Sequence, residues 1–357
     1  MSATGHQGTD RPRVATALSN AEFVRLVGTA DGDALAAAGL LARGLDAIGV
    51  PYQISLAAVP EPSATEADCT VAIGHRNGNV RIETEPLAVE AAEILGEIAP
   101  DAVDHELALA GAVCAGWEPS GWLLEAAELE RRPGVAIPTD DPIEGLAGST
   151  LVRTSVSGDG RAVEAALEAL GDPSDRELAS SLALSAIESA PPRAAEGVER
   201  ALRPYVTDRF ETLGGFADVL DALAREQPGT GIAFALGSDL EATALESWRA
   251  HGQRAHTAIT GANTGRYEGV YVTRLTDAPP ALLGTVARLS FWYRSPEPVA
   301  LVVTDGAAAA VDETPVAEPM RETVSALDGR MSARGTHATA TFEGTTADLT
   351  AAFREAV

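Results

Sequence analysis

Leu26-Val27-Gly28-Thr29-Ala30-Asp31-Gly32-Asp33-Ala34-Leu35-Ala36-Ala37 holds the change of period that decides the fold of this chain. Phe23 to Val27 is a short apolar run that Gly28-Thr29 brings to an end. Asp31-Gly32-Asp33 then turns into a stretch whose apolar positions Ala34, Ala38, Leu41, Leu45 and Ile48 recur at helical spacing. Gly49 supplies the stop, and Tyr52 to Ala57 reads as the next strand. Strand, helix and strand in that order predict a parallel βαβ crossover, so the first sheet is expected to be largely parallel.

Working outward, Cys69 to Ile73 and Val80 to Glu83 read as strands after a Pro/Ser/Thr loop over 60–65, and Pro86 suits the first turn of a helix carrying Leu87, Ala91, Ile94, Leu95 and Ile98. Helical patterns follow at 106–115, 121–129, 161–170 and 175–188, and again at 218–225 and 240–251. The last third returns to strands at 269–275, 298–303 and 337–342, with helices at 281–288 and 346–356. The expected class is α/β: an N-terminal parallel-sheet domain plus a smaller C-terminal α/β domain. Residues 1–18 are expected to be a disordered lead, 19–190 the first domain, 191–228 a helical linker opened by Pro191-Pro192, and 229–357 the second domain.

A length of 357 residues fits two domains, and 45% hydrophobic residues with 4% aromatics leave alanine, valine and leucine to fill the cores. The 52 acidic residues face 26 basic ones, every one an arginine, for a net charge of −26. Without lysine there is no Walker-A loop, no pyridoxal Schiff base and no protein-kinase active site. The acidity is spread along the whole chain, a pattern expected of a cytoplasmic protein adapted to molar salt, where screening makes net charge a poor guide to the partner. The apolar runs Leu35 to Leu41 and Ala307 to Val311 are far too short to span a membrane, and Met1 to Arg13 lacks the apolar centre of a signal. Cys69 and Cys114 have no CxxC spacing, so a zinc ribbon is excluded and a buried, reduced pair is expected.

The opening stretch resembles the first motif of the DHH phosphoesterase superfamily, in particular the RecJ-like nucleases and their archaeal, including haloarchaeal, relatives, where a strand ending in His-x-Asp-x-Asp-Gly runs into a helix of small residues. The resemblance implies a rim where carboxylates and an imidazole hold two Mn²⁺ or Mg²⁺ ions that clamp a phosphodiester and generate hydroxide. In register, Val27 falls at the family's histidine, Thr29 at its first aspartate and Asp31 at its second. The second motif ends a strand in aspartate, whereas Cys69 to Ile73 ends in Gly74. Val80-Arg81-Ile82-Glu83-Thr84-Glu85 stands where Asp-His-His belongs, and Leu107 to Gly116 lacks a fourth aspartate. Thr212 to Leu220 followed by Pro228-Gly229-Thr230-Gly231 looks like the linking region of archaeal RecJ-like proteins. Arg334-Gly335-Thr336-His337 with Ala340 is similar to the Gly-Gly-Gly-His loop of the DHH-associated domain, though only Gly335 and His337 match. On that basis Arg334, Gly335 and His337 are the candidates for nucleic-acid contact.

Asp31 and Asp33 read as a turn-and-cap pair or as remnants of a metal site. His75 lies just past a strand end, where the family has its site, and Asp104-His105-Glu106 reads as a helix start or a displaced metal motif. Arg76, Arg294 and Arg334 could meet phosphate, and Trp117, Trp122, Trp248 and Trp292 are expected to anchor core or interface. Two functions follow. The first is a catalytically degenerate RecJ-like subunit in DNA replication or repair, needing no cofactor and bound to a GINS-like partner or another RecJ-like protein, with single-stranded nucleic acid as a further ligand. The family offers a precedent in the inactive replicative-helicase cofactor related to RecJ. The second is an active, single-strand-specific exonuclease or phosphoesterase using Mn²⁺ or Mg²⁺ on Asp31, His75, Asp104 and His105. Whether three of those four side chains converge distinguishes them.

Overall fold

A computed structural model describes residues 11–61, 67–171 and 173–357. The first unit runs α1 (Arg11–Asn20), β1 (Val24–Thr29), α2 (Gly32–Ile48), β2 (Tyr52–Ala57), β3 (Cys69–Ile73), β4 (Val80–Ile82), α3 (Leu87–Ile98) and α4 (His105–Cys114). A helical run follows: α5 (Gly121–Ala127), α6 (Pro142–Gly148), α7 (Gly160–Leu170), α8 (Asp175–Ile187), α9 (Ala194–Ala201), α10 (Leu213–Glu226), α11 (Pro228–Ala235) and α12 (Glu241–Gly261). The chain ends with β5 (Asn263–Tyr267), β6 (Val270–Arg274), α13 (Leu283–Tyr293), β7 (Val299–Thr304), β8 (Ala307–Asp312), α14 (Ala317–Ser325), β9 (Arg330–Arg334), β10 (His337–Thr341) and α15 (Thr346–Ala356).

The α/β class and its two sheets are as the periodicity implies. The first sheet has the order β2-β1-β3-β4 and is parallel throughout, with β1 at its centre and buried along its length. The second has the order β5-β6-β7-β8-β10-β9, where β6 and β7 pair in parallel and every other neighbour is antiparallel. Asp31 caps α2 by accepting the Ala34 N–H at 3.0 Å, and Gly49 closes the helix in a left-handed conformation.

Two differences concern the N-terminal and inter-sheet segments. Of the expected disordered lead, residues 1–10 lie outside the described part, but 11–18 belong to α1, because Val14, Ala15 and Leu18 share one face and bury it against the first core. The 60–65 loop lies mostly outside the described residues. Nor do the cores follow the expected divisions at 190/191 and 228/229. Helices α10 and α11 pack into the first core, whereas Ala194, Val198 and Ala201 of α9 belong to the second. Helix α12 joins the two, with Ala244 and Trp248 in the first core and Ala255 and Ile259 in the second, and the second sheet begins only at Asn263. A third core, on the opposite face of that sheet, is covered by α14 and α15.

Candidate functional site

The β1–α2 turn sets Asp31 and Asp33 on a rim facing the β9–β10 hairpin. Asp31 spends one oxygen on the Ala34 N–H and the other on the Thr29 hydroxyl, which donates at 2.6 Å. Asp33 is fully buried and caps a different helix: its two oxygens accept the Leu87 and Ala88 N–H groups at 3.0 and 2.9 Å, at the start of α3. Burial pushes its carboxyl up to about 6, against the pull of Arg334 and the two backbone donors.

Arg334 closes this rim from the other sheet. Its Nη2 donates to Asp31 Oδ1 at 3.0 Å, its Nη1 to Asp33 Oδ2 at 2.9 Å, and its Nε lies 3.3 Å from Glu85 Oε1. The guanidinium is one-fifth exposed, and the three carboxylates outweigh its own desolvation and raise its pKa further. Gly74, at φ +75°, makes room: a Cβ there would come within 2.9 Å of Thr29 Oγ1 and 3.7 Å of Arg334 Nη1.

Behind the rim, Asp221 of α10 accepts the Gly32 N–H at 3.2 Å, two bonds from Arg225 at 3.0 Å and one from Arg288 at 3.4 Å. Burial alone would raise its pKa, yet the two arginines hold it well below the usual carboxylate range. Arg288 also reaches the Thr150 hydroxyl at 3.0 Å. Arg225, Arg288, Arg334 and His337 face a cleft of about 370 Å³ walled by small residues, among them Ala57, Ala58, Ala309 and Ala310. A second cavity of about 480 Å³ shares Arg288 and His337 and extends to Arg193, Arg200 and Trp292. His337 keeps solvent contact through the cleft mouth, while crowding by the walls and the charges of Arg288, Arg334 and Arg225 push its pKa down to about 4. The three arginines are matched on the same walls by Asp31, Glu85 and Asp221.

The four sequence candidates for a metal site do not meet. His75 Nε2 donates to the Val27 carbonyl at 2.9 Å and its Nδ1 accepts the Asn77 N–H at 3.2 Å, so both ring nitrogens are engaged. Asp104 caps α4, accepting the Leu107 N–H at 3.0 Å, and pairs with Arg43 at 3.2 Å. His105 stacks edge-on against Trp122 at 5.7 Å. Both sit at the far end of α4, about 15 Å of helix from Cys114 in the cleft. Among the described residues, no group of three or more His, Cys, Asp or Glu side chains is arranged to hold a metal ion. The divalent ions implied by the resemblance do not fit these residues: Val27 and Gly74 bring no side-chain donor atoms, and the oxygens of Asp31 and Asp33 are already committed to N–H, hydroxyl and guanidinium groups.

Arg334, picked out for nucleic acid, is turned inward onto carboxylates, while Gly335 and His337 remain exposed beside it. Arg76 is 84% exposed, and Arg294 donates to the Ile259 carbonyl. Trp248 is a core anchor that donates to Asp218 at 2.8 Å, Trp292 lies under Arg200, and Trp117 and Trp122 are exposed. Cys69 is buried and Cys114 half-buried, and both are free thiols. The Asp221–Arg225–Arg288 group went unread in the sequence. Only the Asp221/Arg225 spacing of one helical turn hinted at it.

A family model described as "Uncharacterized protein rrnAC1427, C-terminal domain" matches residues 262–355, the second sheet and its helices. The uncharacterized protein rrnAC1427 of Haloarcula marismortui is 47% identical over 377 aligned positions covering 100% of both chains. Among solved structures, CDC45 from Entamoeba histolytica superposes with a TM-score of 0.57 at 9% identity, over 97% of this chain and 98% of that one. The DHH domain of PF0399, described as a member of the s1p family of ribosomal proteins, gives 0.52 at 10% identity over 97% and 88%. RecJ of Thermus thermophilus in complex with Mn²⁺ gives 0.51 at 16% identity over 98% of this chain and 55% of RecJ. At these identities the likeness is one of fold.

Proposed function

From the premise that the chain belongs to the family of Haloarcula marismortui rrnAC1427 and has a RecJ-like DHH fold, we propose that it is a non-nucleolytic subunit acting in DNA replication or repair with a protein partner. The observation that carries this reading is the seat of Arg334: a guanidinium from the second sheet stands among Asp31, Asp33 and Glu85, on the rim where a nuclease of this fold would need free carboxylates. A likeness to CDC45 that covers nearly all of both chains supports a replication-factor-like role. The partner we expect is a GINS-like subunit or another RecJ-like protein. Single-stranded nucleic acid is the further ligand of this reading, meeting Gly335 and His337 at the hairpin while Arg334 holds the hairpin in place. The arginine-only, acidic composition supports a cytoplasm of high salt as its setting.

The test is an assay of the purified chain in molar KCl with a labelled single-stranded oligonucleotide and Mn²⁺, alongside affinity purification from the native host. An intact oligonucleotide and a co-purifying replication or repair subunit are expected. Degradation that is abolished in Asp31→Ala would replace this reading with the metal-dependent exonuclease.

A further inference from the structure

The rim is made of three carboxylates from one unit and one guanidinium from the other. Asp31 and Asp33 come from the β1–α2 turn and Glu85 from the residue pair before α3, whereas Arg334 ends β9 in the second sheet. Each nitrogen of the guanidinium faces a different carboxylate. Asp31 and Asp33 are in turn fixed by helix N-terminal N–H groups, so the seat is rigid on the acidic side. The glycine at position 74 keeps the space beside Nη1 clear of side-chain atoms. Beside this hub further contacts cross between the units: the Thr339 hydroxyl donates to the Ala58 carbonyl at 2.8 Å, Arg330 pairs with Glu61 at the surface, and Arg288 of α13 reaches Asp221 behind the rim at 3.4 Å.

We propose that Arg334 is a built-in cation that latches the second sheet onto the β1–α2 rim, fixing the width of the arginine-lined cleft without a metal ion. The charge argument is direct. Asp31, Asp33 and Glu85 brought together would repel one another, and a cation must offset that repulsion for the rim to stay closed. A guanidinium does so with directional bonds to three separate oxygens, and its covalent tether means that docking the hairpin and neutralising the rim are one event. Molar salt screens the exposed Arg330–Glu61 pair far more than this largely buried hub, so in such a medium the hub keeps its hold where that pair loses most of its own. The inference concerns how the two units are held, and it stands whether or not the chain has a protein partner.

The experiment compares the full chain with Arg334→Ala and Arg334→Lys in molar KCl, by amide hydrogen exchange and by calorimetric titration with Mn²⁺. Arg334→Ala is expected to raise exchange of the β9–β10 hairpin by about tenfold or more while the amides of β1 and β3 keep their protection. The parent chain is expected to give a flat Mn²⁺ isotherm, because the Asp31 and Asp33 oxygens are held by N–H, hydroxyl and guanidinium groups. Arg334→Lys, which keeps the charge and loses the three-way geometry, should fall between the two and serves as the folded test if Arg334→Ala does not fold. Unchanged hairpin exchange in the variants, or stoichiometric Mn²⁺ uptake by the parent chain, would overturn the proposal.

Discussion

His256 is neutral for a geometric reason. It is buried on α12, its Nε2–H donates to the Ser149 carbonyl at 2.8 Å, and its Nδ1 accepts from Arg153 at 3.0 Å, so a second proton would have to face a guanidinium. Burial first, and then that arginine, pushes its pKa down to about 4. A histidine whose folded pKa is depressed adds stability above pH about 6.5, and the protein loses it as the pH falls toward 4. His256→Gln should therefore flatten the fall in unfolding free energy between pH 6.5 and 4 by on the order of 3 kcal/mol, measured by denaturant titration at stepped pH. Asp33 works in the opposite sense, since its raised pKa adds stability below pH about 3.8 that is lost as the pH rises through about 6. What could be read at this scale was local. Asp31 as a cap follows from the three residues after it. The partners of Asp33 lie 54 and 55 positions downstream, and Arg334 follows it by 301, so no pattern in the β1–α2 stretch reports them.

At the scale of elements, α6 and α12 cross so closely that a Cβ on Gly252 would sit 1.9 Å from the Gly148 carbonyl oxygen. Neither helix can yield easily, because α12 is pinned at Trp248 and Ile259 in two different cores. Gly252→Ala should lower stability by about 2–4 kcal/mol, read as a drop in melting midpoint with the fold otherwise retained, whereas Gly261→Ala, where a Cβ meets nothing within 4 Å, serves as the neutral control. Strong periodicity made β1, α2, β2, β3, α3 and α15 legible. Strand β8 was not, because Ala307-Ala308-Ala309-Ala310-Val311-Asp312 carries little intrinsic preference for a strand. It becomes one by pairing with β7 and β10, its small side chains letting α13 pack closely on the sheet. Strand β9, written Arg330-Met331-Ser332-Ala333-Arg334, has no alternating apolar face and forms only as the edge partner of β10.

The whole molecule carries a charge of −26, and its arginines are used in two ways. Some make exposed pairs, such as Arg131 with Glu118, Arg200 with Glu196 and Arg321 with Glu318, which add little in water and less in salt. Others, Arg225, Arg288 and Arg334, are largely buried against Asp221, Asp31 and Asp33 and hold the cleft together. Added salt therefore acts on two populations unequally. It cuts the mutual repulsion of the acidic surface, whose range shrinks to about 3 Å at 1 M, and leaves the buried pairs nearly untouched. The balance favours the folded state, because the unfolded chain already spreads the same charges apart. A gain of a few kcal/mol corresponds to about 4 °C for a chain of this size. Melting followed by circular dichroism from about 0.1 M to about 3 M KCl should show the midpoint rising by that order and levelling off once the surface is screened. A midpoint that falls with salt would mean that exposed ion pairs, and not the buried hubs, carry the electrostatic stability.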